Sequence, residues 1–570
     1  MSWYDDRPWM DRYDENTRSV GEIPARTALD MFSAAVESAP DGPAIRYLGG
    51  TLDYREVDEL SDGVAAYLTE NGFGKGDRLA IYLQNIPQFV LALLGTWKAG
   101  GVVVPLNPMY RDELSHILTD AGVTAIVCSE NAWADRVAER ASAAGVRIAL
   151  TASELDIQTS GDPRVFGGVT RVRAEGVPDL LEVARARAGA GVPDPRLVPD
   201  DIALVSYTSG TSGVPKGATN THRNLTVNSS ILRLYESKPA GSPIFALAPL
   251  FHITGMVCQL LTAIDLASPL ILAYRFDAGV VLDALERERP VFMVGPSTAY
   301  MALMAHRDFS GERFASLEAV MSGGAPLPPA IVERFRELTG KYIRNGYGLT
   351  ETSAPCVVVP PNLEAPVDPS SGTLAIGLPL PSAVIRIVGE DGHDLDPLEV
   401  GEIAVDGPMV VPAYWNKPAA TAQSLPGGRL LTGDVGFMDA QGWVYVVDRK
   451  KDMINASGFK VWPREVEDVL YRHPAVREAA VVGEPDSYRG ETVAAFVSLR
   501  PGQTVETDDL VDYCRERLAS YKAPRRVVIV DELPKTASGK ILRREMRRST
   551  PACTLHRPVR SDNQARTGCG

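Results

Sequence analysis

From about Arg78 the chain alternates short apolar runs with amphipathic ones, and this alternation limits the possible folds more than any other feature. Residues 79–83, 102–104 and 125–128 read as strands, with helices at 89–97 and 114–118 between them. A second series starts with a strand at 291–294, continues through a helix at 298–304 and reaches a strand ending at Met321. The next helix is punctuated by Pro329 in its first turn and Gly340 at its end, with Ile331, Phe335 and Leu338 on one face. A strand at 342–344 follows. Two such series imply an α/β chain of mostly parallel sheets, whose ligands bind at the carboxyl ends of the strands. Both of those ends are glycine-rich: Ser322-Gly323-Gly324-Ala325-Pro326 and Asn345-Gly346-Tyr347-Gly348 are expected as two loops side by side at one cleft.

After Gly372 the texture changes to short alternating runs at 384–388 and 402–405, with turns at Asp391-Gly392 and Gln441-Gly442, which marks a β-rich segment. The charged break Asp448-Arg449-Lys450-Lys451-Asp452 is the expected domain boundary. The organisation that follows is a large N-terminal domain at 1–449, made of two doubly wound α/β subdomains and a β-rich subdomain. A small α+β domain follows at 450–548. Its helix begins near Pro463 and buries Val466, Val469 and Leu470. Residues 1–20 read as a tag-like lead-in arm, and 549–570 as a flexible tail without periodicity.

Composition narrows the function classes. Over 570 residues, 58 Lys and Arg stand against 72 Asp and Glu, and the formal charge of −14 disfavours a nonspecific grip on nucleic acid or an anionic membrane. The six cysteines, at 128, 258, 356, 514, 553 and 569, form no CxxC pair, so neither a disulfide scaffold nor a zinc ribbon is signalled, and a reducing cytoplasm is the default. The first twenty residues lack the basic start and apolar core of a secretory signal. Residues 243–264 carry no Asp, Glu, Lys or Arg, but Pro249, His252, Gly255 and Gln259 interrupt the run. It reads as the wall of a buried cleft and not as an integral membrane segment.

The segment with the most chemical content is Tyr207-Thr208-Ser209-Gly210-Thr211-Ser212-Gly213-Val214-Pro215-Lys216-Gly217, directly after an apolar strand. Its glycines let backbone N–H groups approach an anion, its hydroxyls add donors, and Lys216 adds charge against phosphate. A flexible Ser/Gly linker is the bland alternative, but linkers rarely join Pro-Lys-Gly to a buried strand. A P-loop needs Gly-Lys followed by a hydroxyl residue opening a helix. Here Pro215 precedes Lys216 and Gly217 follows it, so that reading fails, as it does at Gly539-Lys540-Ile541.

With this loop stand Gly346-Tyr347-Gly348-Leu349-Thr350-Glu351-Thr352, Thr432-Gly433-Asp434, the break at 448–452 with Gly458-Phe459-Lys460-Val461-Trp462-Pro463-Arg464-Glu465-Val466-Glu467, and Pro534-Lys535-Thr536-Ala537-Ser538-Gly539-Lys540. In this order the five segments resemble the adenylate-forming superfamily of acyl-CoA synthetases, nonribosomal adenylation domains and firefly luciferase. The resemblance implies a two-step ligase reaction: a carboxylic acid and MgATP give an acyl-adenylate and pyrophosphate, then the thiol of coenzyme A displaces AMP. Two anions must meet at the α-phosphate, which is why such a site collects cations and oriented donors.

By that resemblance Lys216 and the hydroxyls of Thr208, Ser209, Thr211 and Ser212, with Gly210, hold the β and γ phosphates. Glu351 coordinates Mg²⁺ with Thr208 nearby, and Thr350 meets the α-phosphate. Adenine lies against Tyr347 and Gly324-Ala325-Pro326, beside Asn345, Gly346 and Gly348, while Asp434 and Arg449 take the ribose. Lys540 is the candidate catalytic lysine, bridging the acid and the α-phosphate, and a solvated loop lysine is the bland reading. His252 matches a histidine at the mouth of the acyl pocket, against the alternative of a core histidine. The resemblance further implies that the small domain is mobile: it rotates at a hinge aligned with Lys451, bringing Gly458 and Phe459 to the adenylate, with Trp462 on the thiol tunnel.

A medium- or long-chain aliphatic acid is expected, with aryl and alicyclic acids left open. Other readings are a ligase that loads a carrier protein, a light-emitting oxygenase, and a nonenzymatic nucleotide sensor. Arg525, Arg526, Arg543 and Arg544 are candidates for the CoA nucleotide by charge alone. The expected partners are small molecules, and a homodimer is left open.

Overall fold

The computed structural model describes residues 2–18, 23–208, 215–369, 372–449, 452–456, 459–486, 490–536 and 540–548. The first alternating series forms a six-stranded sheet. Arg78–Tyr82 lies between Val102–Pro105 and Ala125–Ser129, all parallel, and Ile148–Ala152 extends the row. Pro87 opens the helix Pro87–Lys98, where its missing N–H costs nothing, and the helix is buried along its whole length. On the other side of Val102–Pro105 the sheet adds Ile202–Thr208 in parallel, then Lys216–Thr221 antiparallel to it.

The second series lies in a nine-stranded sheet in which Phe292–Gly295, Ala319–Ser322 and Ile343–Leu349 run parallel as neighbours. Helix Pro329–Thr339 ends at Gly340, which takes φ 70°. The β-rich segment is a four-stranded antiparallel sheet of Val384–Val388, Gly401–Asp406, Leu430–Met438 and Val444–Arg449. A separate small C-terminal domain follows, in which Pro463–Tyr471 packs on a sheet containing Val476–Asp486 and Gly490–Leu499 and buries Val466, Val469 and Leu470. Its main core draws on residues 454–527, whereas the largest core of the preceding chain draws on residues 4–445.

Two expectations are corrected, and the rejection of a membrane span at 243–264 holds among the described residues. Asn345-Gly346-Tyr347-Gly348 is not a loop. The strand Ile343–Leu349 runs straight through it and, past the parallel pairing, turns to antiparallel partners in Ala354–Val358. Gly348 is required there because a Cβ would collide with the carbonyl of Ala354. The apolar run at 243–264 is a short strand Ile244–Phe245, a π-helix Gly255–Leu261 and the helix Thr262–Asp265. No helix among the described residues is long and apolar enough to cross a membrane.

The second correction concerns the tag-like arm. Tyr4, Trp9 and Tyr13 are buried, the Tyr4 hydroxyl donates to the carbonyl of Leu395 at 2.9 Å, and Arg7 Nη1 donates to that of Pro381 at 3.2 Å. The aromatic residues were plain in the sequence, but the surface they cover lies almost four hundred residues away. Tyr4→Phe is expected to lower stability by about 1 kcal/mol, the usual net worth of one such bond, read as a shift in the denaturant midpoint.

Candidate active site

The phosphate-loop candidate is entered and left on two antiparallel strands, Ile202–Thr208 and Lys216–Thr221, that pair as the arms of a hairpin. Thr208 closes one strand and Lys216 opens the next as direct register partners, and the Thr208 hydroxyl donates to the Lys216 carbonyl at 3.4 Å. Ser209, Gly210, Thr211 and Ser212 lie outside the described residues. The hairpin is anchored from the side. The Tyr207 hydroxyl donates to Asp120 at 2.7 Å, and Lys417 pairs with the same carboxylate at 2.6 Å.

Thr350 and Glu351 occupy a single 3₁₀ turn, Thr350–Thr352, against this hairpin. Three buried asparagines that the sequence reading missed hold the turn and its surroundings. Asn220 Nδ2 donates to the Thr350 carbonyl and to the Ser353 hydroxyl, both at 2.9 Å. Asn228 Nδ2 reaches the carbonyls of Thr352, Ser353 and Pro355 at 3.2, 2.7 and 3.0 Å. Asn224 shares a capping box with Thr221 at the start of helix His222–Glu236, and its amide still donates to the carbonyls of Pro408 and Val410. Their four-residue spacing puts them along one line of the helix and the strand end before it, and asparagine is a poor helix former. That pattern was the available signal. Such support is needed because Ser353 and Ala354 take φ 49° and 83°, a strained region for residues with a side chain.

The second cluster gathers residues that are far apart in the chain. The Tyr347 hydroxyl donates to Asp434 at 2.7 Å, and Arg449 Nε pairs with the other oxygen of that carboxylate at 3.2 Å, across the register of Leu430–Met438 and Val444–Arg449. Burial and the Asp434 charge push the Tyr347 phenol well up, so it stays a proton donor. Gly324, at φ 78° and with open space around it, and Pro326 are exposed at the end of Ala319–Ser322, and Ala325 is half-buried. Ser322 is register partner to Asn345, so the two glycine-rich segments are neighbours.

Lys540 joins this cluster from the small domain. Burial pushes its ammonium down to about 8, and Arg449 lowers it further while Asp434 raises it. Burial also pushes His252 down to about 4, with the Lys540 charge as a second cause, so its ring is neutral near pH 7. His252 Nδ1 accepts the Thr254 N–H at 3.3 Å, which leaves Nε2 to carry the ring proton. A lysine and an imidazole N–H donor thus lie within electrostatic reach of each other.

Gly458 and Lys451 lie outside the described residues. Phe459 belongs to the short strand Phe459–Val461, and Trp462 is the N-cap of Pro463–Tyr471. Beside them Asp448, another residue the sequence reading gave no role, accepts the Arg464 N–H at 2.9 Å and Arg543 at 3.2 Å. Arg543 also bonds Glu467 through two nitrogens, and Arg526 pairs with Glu484, so these two arginines are committed within the protein instead of forming a free basic patch. Arg525 is exposed, and the Arg544 side chain is outside the described residues.

The donor set suits a hard cation held sparsely. Among the described residues no group of three or more His, Cys, Asp or Glu could hold a metal ion, whereas the Glu351 carboxylate beside hydroxyl-bearing strand ends suits magnesium bound mainly through phosphate and water.

A small α+β domain whose lysine is set among charged groups of a larger α/β body defines a two-domain enzyme. Residues 32–415 match the AMP-binding enzyme family, and residues 465–540 match the AMP-binding enzyme C-terminal domain. A long-chain-fatty-acid–CoA ligase of Bacillus subtilis is 34% identical over 565 residues, covering 95% of this chain and 97% of the relative. A feruloyl-CoA synthase of an Amycolatopsis species is 36% identical over 534 residues, covering 93% and 99%. The solved structure of o-succinylbenzoate CoA synthetase from Bacillus subtilis, in complex with its acyl-adenylate intermediate, superposes with a TM-score of 0.75 at 28% identity, covering 92% and 98%. The chain belongs to the AMP-binding enzyme family.

Proposed function

We propose that this enzyme is an AMP-forming acyl-CoA ligase that activates a medium- or long-chain aliphatic acid with MgATP and passes the acyl group to coenzyme A. The observation that carries the reading is the position of Lys540, brought by the small domain within electrostatic reach of Asp434, Arg449 and His252. In this pose Lys540 neutralises the repulsion between the incoming carboxylate and the α-phosphate, and the His252 Nε2–H orients the carboxylate. Asp434 and Arg449 take the ribose, Tyr347 and the 324–326 segment take adenine, and Thr350 meets the α-phosphate. Lys216 receives the β and γ phosphates. Magnesium, held by Glu351 with Thr208 close by, supplies positive charge to the phosphates. For the thiol step the small domain must turn at Lys451, withdrawing Lys540 and presenting Gly458, Phe459 and Trp462. The long-chain-fatty-acid–CoA ligase from Bacillus subtilis supports the aliphatic substrate. The similar identity to a feruloyl-CoA synthase supports a second reading, an aryl acid in the same pocket. Cys128, Cys258, Cys356 and Cys514 are free and buried, in keeping with a reducing cytoplasm.

The test is a panel of saturated acids of graded length and hydroxycinnamic acids, incubated with ATP, Mg²⁺ and CoA, with AMP, pyrophosphate and thioester scored separately. Equal yields of all three from aliphatic acids are expected. ADP as product would overturn the reaction class, and pyrophosphate without thioester would point to a carrier-protein acceptor.

A further inference from the structure

Tyr414 comes from the segment between Gly401–Asp406 and Pro418–Ser424, and it reaches the hairpin as a short extra rung. The Thr219 N–H donates to Ala413 at 3.0 Å, the Trp415 N–H donates to Gly217 at 2.7 Å, and Ala218 bridges Tyr414. Its flanks are fixed as well. Trp415 Nε1 donates to the Asp120 carbonyl at 3.2 Å, and the Tyr414 N–H donates to the Thr421 hydroxyl at 3.0 Å. From this fixed backbone the phenol hydroxyl donates to Glu351 Oε1 at 2.6 Å, and the Lys216 ammonium sits 5.1 Å from the ring centroid.

We infer that Tyr414 is a positioning residue for acid activation, one rigid phenol that sets both the Glu351 carboxylate and the Lys216 ammonium to receive a metal-bound triphosphate. The inference rests on the ligase reading above. Glu351 and Lys216 carry opposite charges on flexible stems, and left alone they would draw together and neutralise each other. The ring face gives the ammonium its own seat, and the hydroxyl occupies one lone pair of the carboxylate while leaving the others as acceptors.

Two variants separate the two contacts. Tyr414→Phe keeps the ring and removes the bond to Glu351, while Tyr414→Leu removes both. Three measurements are made on each full-length protein: Mn²⁺ titration by electron paramagnetic resonance with ATP present and no acid, AMP binding without metal, and thioester formation from preformed acyl-adenylate. For Tyr414→Phe the Mn²⁺ half-saturation and the Mg²⁺ needed for half-maximal pyrophosphate release are expected to rise about tenfold, the scale of one hydrogen bond to a charged group. The loss in kcat at saturating metal should be smaller, and metal-free AMP binding and the thioester step should hold. Tyr414→Leu should in addition raise KM for ATP. An unchanged Mn²⁺ titration in Tyr414→Phe, or an equal loss of metal binding, AMP binding and thioester formation, would overturn the assignment. A wild-type protein that releases no pyrophosphate would count against the ligase reading alone, because the Mn²⁺ titration reads Tyr414 without turnover.

Discussion

Lys540→Met is expected to slow acyl-adenylate formation roughly a thousandfold while leaving the conversion of preformed adenylate and CoA to thioester nearly intact. The size follows from removing one preorganised cation from the point where charge develops in the transition state. The split follows from the proposed domain turn, which would take Lys540 away from Asp434, Arg449 and His252, the groups it stands with here. The same residue sets a pH limit. Its ammonium is pushed down to about 8, so kcat/KM for activation should fall as pH rises through about 8, while His252, near 4, contributes no step between 6 and 9. Stability moves the other way. Between the folded value and the ordinary value of 10.5 the unfolded chain binds more protons, so Lys540 makes the native state more stable as pH rises across that window. Lys540→Met should abolish that rise along with the alkaline loss of activation. Equal damage to both half-reactions would remove the catalytic assignment.

Asn228→Ala should cost on the order of 3 kcal/mol of stability and most of the activation rate. One buried amide serves three carbonyls, and alanine leaves them without that donor inside the fold. The carbonyls belong to the backbone just after Glu351, where Ser353 and Ala354 hold left-handed φ values that relax when the support goes. Calorimetry and pyrophosphate release, measured at a temperature where the variant is folded, separate the two losses. A variant with a lowered melting temperature but full activation at low temperature would show that the turn holds its shape without Asn228.

Much of this site was legible because its chemistry is local in the chain. Lys216 beside glycines and hydroxyls, Thr350-Glu351 after a glycine-rich strand, and Asp434 in Thr432-Gly433-Asp434 each carry their meaning within a few residues. The helices were legible for a similar reason: Pro329 and Gly340 bracket Pro329–Thr339 by rules of backbone geometry. What failed were judgements about surroundings. Asn345-Gly346-Tyr347-Gly348 looks like a loop because glycines favour turns, yet Ala354–Val358 offers a partner strand that keeps it extended. The arm at 2–18 looks polar and detachable, yet its aromatic residues fit a surface built from residues 379–395 and 442.

The order of residues alone determined the two α/β series, the small terminal domain and the set of cations, hydroxyls and carboxylates proposed for phosphate chemistry, because backbone propensity and motif spacing act over short stretches. Only the tertiary structure decided that Tyr414 stands between Lys216 and Glu351, that Asn220 and Asn228 brace the Thr350–Thr352 turn and the residues after it, that Asn224 ties its helix to Pro408 and Val410, and that Arg543 is locked onto Asp448 and Glu467. These contacts join segments 63 or more residues apart. A hydrogen bond depends on distance and angle in space, and the local pattern around either partner carries no trace of the other.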